Sequence, residues 1–193
     1  MNLNIGNGIK KIGILGLQGA YLKHKKMLDL LKVNSEIVKY SDQIDSCDGL
    51  IIPGGESTTI LKLMDESDMW EKLKQFPGPM FGTCAGAILL SEGSKNNEVK
   101  TLRRVPVIIE RNAYGRQVES FTQQIVLSFD KKFYPAVFIR APKISHYGKE
   151  IVVLGRLNNE AVFIRYNNNL MTTFHPELTE DTRIHEYFLN KMF

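Results

Sequence analysis

Apolar residues fall along this chain in two textures. Up to residue 90 they form short, nearly continuous runs separated by longer amphipathic stretches. Lys11–Leu17 (KIGILGL), Leu50-Ile51-Ile52 and the run around Met80-Phe81 are each bounded by glycine or proline, as expected of strands buried on both faces. Between the first two, Ala20–Leu31 sets Leu22, Met27, Leu28, Leu30 and Leu31 among lysines at helical spacing, and Glu36–Tyr40 reads as a second strand. Pro53-Gly54-Gly55 is a turn, and Ser57 or Thr58 can cap a helix whose apolar face includes Ile60, Leu61 and Met64. Strands alternating with helices in this way predict a mostly parallel sheet.

After Gly93 the texture changes. Val105–Glu110, Gln123–Phe129, Ala136–Arg140, Ile151–Arg156, Ala161–Tyr166 and Leu170–Phe174 read as closely spaced strands with little helix between them, so this half is expected to be antiparallel or mixed. Thr179–Phe193 closes the chain as a helix with Ile184, Tyr187, Phe188 and Met192 on one face. No repeat, linker or low-complexity tract divides the sequence, and residues 1–193 are expected to form one domain.

Composition narrows the classes of function. With 43% hydrophobic and 24% charged residues, neither a disordered nor a membrane-embedded chain is indicated. No apolar run approaches the roughly 18 residues that span a bilayer. The N-terminal Met1–Gly8 lacks the basic segment and apolar core of a secretory signal, so the cytoplasm is the default compartment. The net charge of +4 is modest and the lysines are scattered, which gives no basis for nucleic-acid binding. Two cysteines, Cys47 and Cys84, are too few for a disulfide framework or a zinc site. Gly13, Gly16 and Gly19 do not make a dinucleotide fingerprint, and no cofactor or metal is expected.

One stretch carries chemistry. Met80–Leu90 (MFGTCAGAILL) is an apolar strand, a cysteine between glycines, and then a helical pattern, which is the layout of a nucleophile elbow. The competing reading of Cys84 is a buried structural thiol. A cysteine nucleophile needs a base, and the base an orienting group. Of the four histidines, His24, His146 and His185 read as surface or packing residues, His24 in a lysine-rich helix and His146 in a loop. His175 ends an apolar strand and precedes Pro176 and Glu177. Proline holds the residue before it extended, so residues 175 and 177 can point to the same side and the carboxylate can orient the imidazole.

The motifs PGGES, GTCAG and FHPEL, in that order, resemble those of class I glutamine amidotransferases. Leu15–Ala20 (LGLQGA), Pro53–Thr59, Phe81–Gly86, Glu110-Arg111-Asn112 with Gly115-Arg116-Gln117, Phe138–Pro142 (FIRAP) and Phe174–Thr179 are together similar to the branch of glutaminase subunits that serves pyridoxal 5'-phosphate synthase. The resemblance implies an α/β fold, a three-layer flavodoxin-like sandwich with a mostly parallel central sheet and an antiparallel or mixed C-terminal extension. It implies hydrolysis of L-glutamine through a thioester on Cys84, with His175 as base and Glu177 as its orienter. Gly55, Glu56, Ser57, Arg111, Ile139 and Arg140 would contact glutamine, with either arginine able to hold its α-carboxylate. Backbone N–H groups of Gly55 and Ala85 would form the oxyanion hole. Gln18 would lie near the partner and help activate the enzyme. That partner, implied in the same way, is the synthase subunit that takes up ammonia within a large hetero-oligomer. The alternatives are a glutaminase subunit of another amidotransferase and a non-catalytic regulatory subunit of the same fold. Two departures from the family pattern, Lys143 where histidine is usual and Leu102–Pro106 in place of a glycine-containing segment, bear on the partner surface.

Overall fold

In the computed structural model, residues 10–95, 99–111 and 120–193 are described. The first half alternates as the pattern predicts: β1 (Ile12–Leu15), α1 (Tyr21–Leu30), β2 (Ser35–Val38), β3 (Gly49–Ile52), α2 (Ser57–Glu66), α3 (Met69–Gln75), β4 (Met80–Thr83) and α4 (Ala85–Leu90). The second half is mostly strand: β5 (Ser91–Ser94), β6 (Val105–Glu110), β7 (Ser120–Leu127), β8 (Asp130–Ile139), β9 (Lys143–Tyr147), β10 (Val152–Leu157), β11 (Glu160–Tyr166) and β12 (Asn169–Thr172), before α5 (Arg183–Lys191).

Among the described residues the main sheet runs β2-β1-β3-β4-β12-β11-β10-β7-β8. Its first five strands are parallel, and β11, β10, β7 and β8 follow as an antiparallel extension. A smaller sheet, β5-β6-β9, packs beside it. The order 2-1-3-4 followed by β12 is that of a flavodoxin-like sheet, in which ligands bind at the carboxyl ends of the strands. Side chains of β1 alternate between two cores. Leu15 joins α2, α3, α4 and the small sheet, while Ile12 and Ile14 join α1 and α5.

Three local expectations are corrected. On α1 the buried positions are His24, Met27 and Leu28, whereas Leu22 and Leu30 are exposed, because at 100° per residue the face that meets the sheet is centred on 24 and 28 and Leu22 and Leu30 point away from it. His185 of α5, read as a surface or packing residue, is completely buried and so a packing one. His146 lies in β9 rather than a loop, paired with Ile108. The cap of α2 is supplied by Glu56, whose carboxylate accepts from the Thr58 and Thr59 N–H groups at 3.3 and 3.2 Å, and not by Ser57 or Thr58.

Candidate active site

Cys84 stands between β4 and α4 with φ 48° and ψ −103°, a conformation that costs a residue with a side chain about 1–3 kcal/mol. Surrounding contacts hold it there. Its N–H donates to the Thr172 carbonyl at 2.9 Å, and its carbonyl accepts from Ala87 at 3.1 Å. The strand before and the helix after it touch through glycine: a Cβ on Gly82 would lie 2.5 Å from the Gly86 carbonyl oxygen, and one on Gly86 only 1.9 Å from that of Ile52. No larger residue fits either side of the cysteine, so the turn stays sharp. The thiol, 6% exposed as part of its residue, lies 3.8 Å from the Ile139 carbonyl oxygen.

His175 follows β12, the strand paired with β4, and its N–H donates to Val137 at 2.8 Å. Pro176 begins a single 3-10 turn to Leu178, which brings the Glu177 Oε1 to 2.7 Å from His175 Nδ1. Nδ1–H therefore donates to the carboxylate and leaves Nε2 for the thiol side. Burial opposes a charge on this imidazole, but the hydrogen bonds and negative charges of Cys84 and Glu177 outweigh it and raise its pKa to about 10. For Glu177 burial alone would push the pKa up, yet His24 when it is protonated, and the hydrogen bond and charge of His175, hold it below its ordinary value.

These groups open onto a cleft of about 670 Å³. Every site residue named from the sequence lines it except Glu177, which stands behind His175. Gln18, after β1, accepts from the Glu56 N–H at 2.9 Å. Gly54 donates to Thr83 Oγ1 at 3.0 Å, and its carbonyl accepts from Ala20 at 3.1 Å. In a planar trans peptide this turns the Gly55 N–H away from Ala20. Arg111, Ile139 and Arg140 form a wall from β6 and β8, with Arg140 at φ 43°. Asn112, Gly115, Arg116 and Gln117 of the arginine motif lie outside the described residues.

A cysteine in an elbow, a buried His-Glu couple and a cleft with two arginines are the groups that amide hydrolysis by a thiol requires. Residues 14–193 match the SNO glutamine amidotransferase family. The chain belongs to that family. It is 50% identical over 183 residues to pyridoxal 5'-phosphate synthase subunit PdxT of Thermosipho africanus, covering 93% of this chain and 97% of that one. The subunit of the same name from Fervidobacterium nodosum is 44% identical, with 92% and 95% covered. A crystal structure of a glutamine amidotransferase superposes with a TM-score of 0.86 at 39% identity, covering 94% of this chain and 97% of that chain. PurLQS from Thermotoga maritima, at 10% identity and a TM-score of 0.67 over 96% of this chain and 100% of that chain, shares the fold alone.

Two features of this amidotransferase were not legible in its sequence. Gly54 has its Cα against both Cys84 and His175: a Cβ there would lie 2.3 Å from His175 Cε1 and 3.1 Å from Cys84 Cβ. His24, read as a surface or packing residue, sits at 0% exposure with Nε2 3.4 Å from Glu177 Oε2. Its signal was the spacing 24, 27, 28, which completes one helix stripe. The departures are structural in this amidotransferase. Lys143 pairs with Glu160, and Arg104 donates to the Phe76 and Gly78 carbonyls at 2.7 and 3.2 Å, holding the segment before β4.

Proposed function

We infer that the chain hydrolyses L-glutamine to L-glutamate and ammonia and hands the ammonia to the synthase subunit that makes pyridoxal 5'-phosphate. Cys84 Sγ attacks the side-chain amide carbon. The oxyanion that forms is held by the Gly55 and Ala85 N–H groups, and His175 Nε2–H gives its proton to the departing nitrogen. Water then attacks the glutamyl thioester, His175 takes one of its protons, and glutamate leaves with the thiol restored. Glu177 keeps the imidazole oriented and stabilises its charged form. Arg111 and Arg140 supply the cationic wall for the α-carboxylate, beside Glu56, Ser57 and Ile139. Gln18 would pass a partner's arrival to the oxyanion donors, a reading supported by its bond to Glu56 next to the Gly54–Gly55 peptide.

The observation that carries this reading is the His175–Glu177 couple beside a cysteine in a positive-φ elbow, within a family of amidotransferases. Relatives named as subunits of pyridoxal 5'-phosphate synthase support the destination of the ammonia. A need for the partner follows from chemistry, since free ammonia is largely protonated near neutral pH and is then no nucleophile. The reading treats residues 1–193 as one amidotransferase domain, working in the cytoplasm, where free thiols such as Cys47 and Cys84 stay reduced. Among the described residues no helix is long and apolar enough to cross a membrane. The test is glutamate release from glutamine with and without the synthase subunit. Cys84→Ala is expected to abolish it while leaving folding and partner binding intact, and turnover persisting in that variant would refute the mechanism.

A further inference from the structure

Behind the reacting groups lies a chain of buried polar atoms that the mechanism above does not use. Glu177 is 3% exposed, and only its Oε1 is occupied by His175. Its other oxygen, Oε2, makes no hydrogen bond of ordinary geometry among the described residues and faces His24 Nε2 at 3.4 Å. The same nitrogen lies 3.2 Å from Thr83 Oγ1, which accepts from the Gly54 N–H. On its far side His24 Nδ1 meets Nε2 of His185 at 2.9 Å, and both histidines are completely inaccessible to solvent. Phe81 closes the pocket, its ring edge-on to each imidazole.

Two proton arrangements are possible along this chain, and they are not equivalent. If His24 carries its proton on Nδ1, its Nε2 lone pair accepts from the Thr83 hydroxyl and also faces a carboxylate oxygen, and His185 must accept at Nε2. His185 Nδ1–H is then a buried donor, and that atom has no hydrogen-bond partner among the described residues. If the proton is on His24 Nε2, it points between Thr83 Oγ1 and Glu177 Oε2. His185 then donates from Nε2 to His24 Nδ1, and its own Nδ1 is left only as an unpaired acceptor. Each arrangement strands one donor, the His185 Nδ1–H in the first and the Thr83 hydroxyl in the second. Only the second turns an N–H rather than a lone pair toward the buried carboxylate oxygen 3.4 Å away, so it is the one that burial favours.

Resting on the reading of this site as a glutaminase, we propose that His24, a neutral Nε2–H donor fixed by His185, is a positioning residue that holds the second oxygen of Glu177. Burial, which lowers the pKa of both His24 and His185, keeps the pair uncharged. The consequence is geometric. One imidazole nitrogen ties the orienting carboxylate to Thr83, the residue before Cys84, and through Thr83 Oγ1 to the Gly54 N–H. Nucleophile, base and the loop carrying Gly55 are thereby referred to one point on α1, and His24 itself does not line the cleft.

The test compares His24→Gln, which keeps an N–H donor near the Nε2 position, with His24→Leu, which fills the space without one, in glutaminase assays with the synthase subunit present. For His24→Leu, kcat is expected to fall by about tenfold to a hundredfold, the rate equivalent of one hydrogen bond to a charged group, with KM nearly unchanged. His24→Gln is expected to recover most of that loss. A kcat in His24→Leu close to that of the unaltered chain, or an equal loss in both variants, would overturn the proposal. Nitrogen-15 spectra of labelled histidines in the unaltered chain make the second arm and require no variant to fold. A pyrrole-type Nε2 at His24 is expected, and a protonated Nδ1 would overturn the proposal. If the unaltered chain fails to hydrolyse glutamine, the glutaminase reading falls, while the spectra still decide the tautomer.

Discussion

Gly54→Ala is the substitution that separates the geometry of the site from its chemistry, because it adds one methyl group and removes no reacting atom. Gly54 is not in the left-handed backbone region, so alanine meets no conformational obstacle there. Its Cβ would nevertheless lie 2.3 Å from His175 Cε1, 2.8 Å from Nδ1 and 3.1 Å from Cys84 Cβ. Carbon atoms ordinarily rest about 3.5–4.0 Å apart, so the imidazole must retreat by roughly 1 Å or more. It cannot swing aside freely, since Nδ1 is tied to Glu177 at 2.7 Å and the backbone N–H to Val137. Gly54 is held in turn by Thr83 and Ala20. A displacement of about 1 Å between reacting groups costs on the order of a hundredfold in rate. Overpacking costs about 1–3 kcal/mol in stability, which in a chain of this size lowers the melting temperature by only about 2–4 °C per kcal/mol. The expected result is a folded protein with a severely lowered kcat, read by glutamate release with the synthase subunit present and checked by thermal unfolding. Gly93→Ala is the control, because among the described residues its Cβ would meet only Ile108 Cδ1 at 3.9 Å. A Gly54→Ala enzyme with kcat within a few-fold of the unaltered chain would refute the placement of Gly54 between nucleophile and base.

In His175→Asn the base is lost, whereas Glu177→Gln removes only the orienter's charge, so kcat should fall further in the first; steady-state kinetics showing the opposite order would contradict the roles assigned to them. Stability should also respond to acid. His24 and His185 have pKa values lowered in the folded state, so as pH falls below the ordinary histidine value of 6.5 the unfolded chain takes up protons that the folded chain refuses. Each contributes a loss of about 1.4 kcal/mol per pH unit below that point, until its own folded pKa is reached. Glu177, also lowered, acts in the same direction but only as pH falls below 4.5. His175, raised to about 10, has its linkage between 6.5 and that value and does not enter the acid window. Urea unfolding at pH 7, 6 and 5 is expected to show the decline, and a flat profile would contradict the neutral burial of the two histidines.

How much of this was legible depended on whether a residue's role is set by its neighbours in sequence or by distant ones. Val105–Glu110 has the same bounds in both readings because its alternation with the core is local. β5 (SEGS) and β9 (KISHY) are strands only because β6 lies between them, and their own residues carry no strand pattern. The candidate triad was visible for the same local reason: an elbow needs glycines two residues away, and an extended His-Pro-Glu needs only its proline. His24 was not. Its role depends on α1 and α5 covering the same face of the sheet, which brings residues 24 and 185 together from opposite ends of the chain.

The sheet order explains why the site divides as it does. β1, β3, β4 and β12 are neighbours in the parallel half, and the residues after them are Gln18, Gly54 with Gly55, Cys84 and His175. Parallel strands end at one edge, so these groups converge without any long excursion of the chain. Arg111, Ile139 and Arg140 come instead from β6 and β8, outside that parallel set. The groups proposed to make and break bonds thus follow strands that are buried along their whole length, where His24 and Thr83 can hold them from behind, while those proposed to face the rest of the glutamine follow strands outside that set. A catalytic unit built this way can stay fixed while its specificity wall and partner surface change around it. That is consistent with solved structures as far apart in sequence as 39% and 10% identity retaining one architecture.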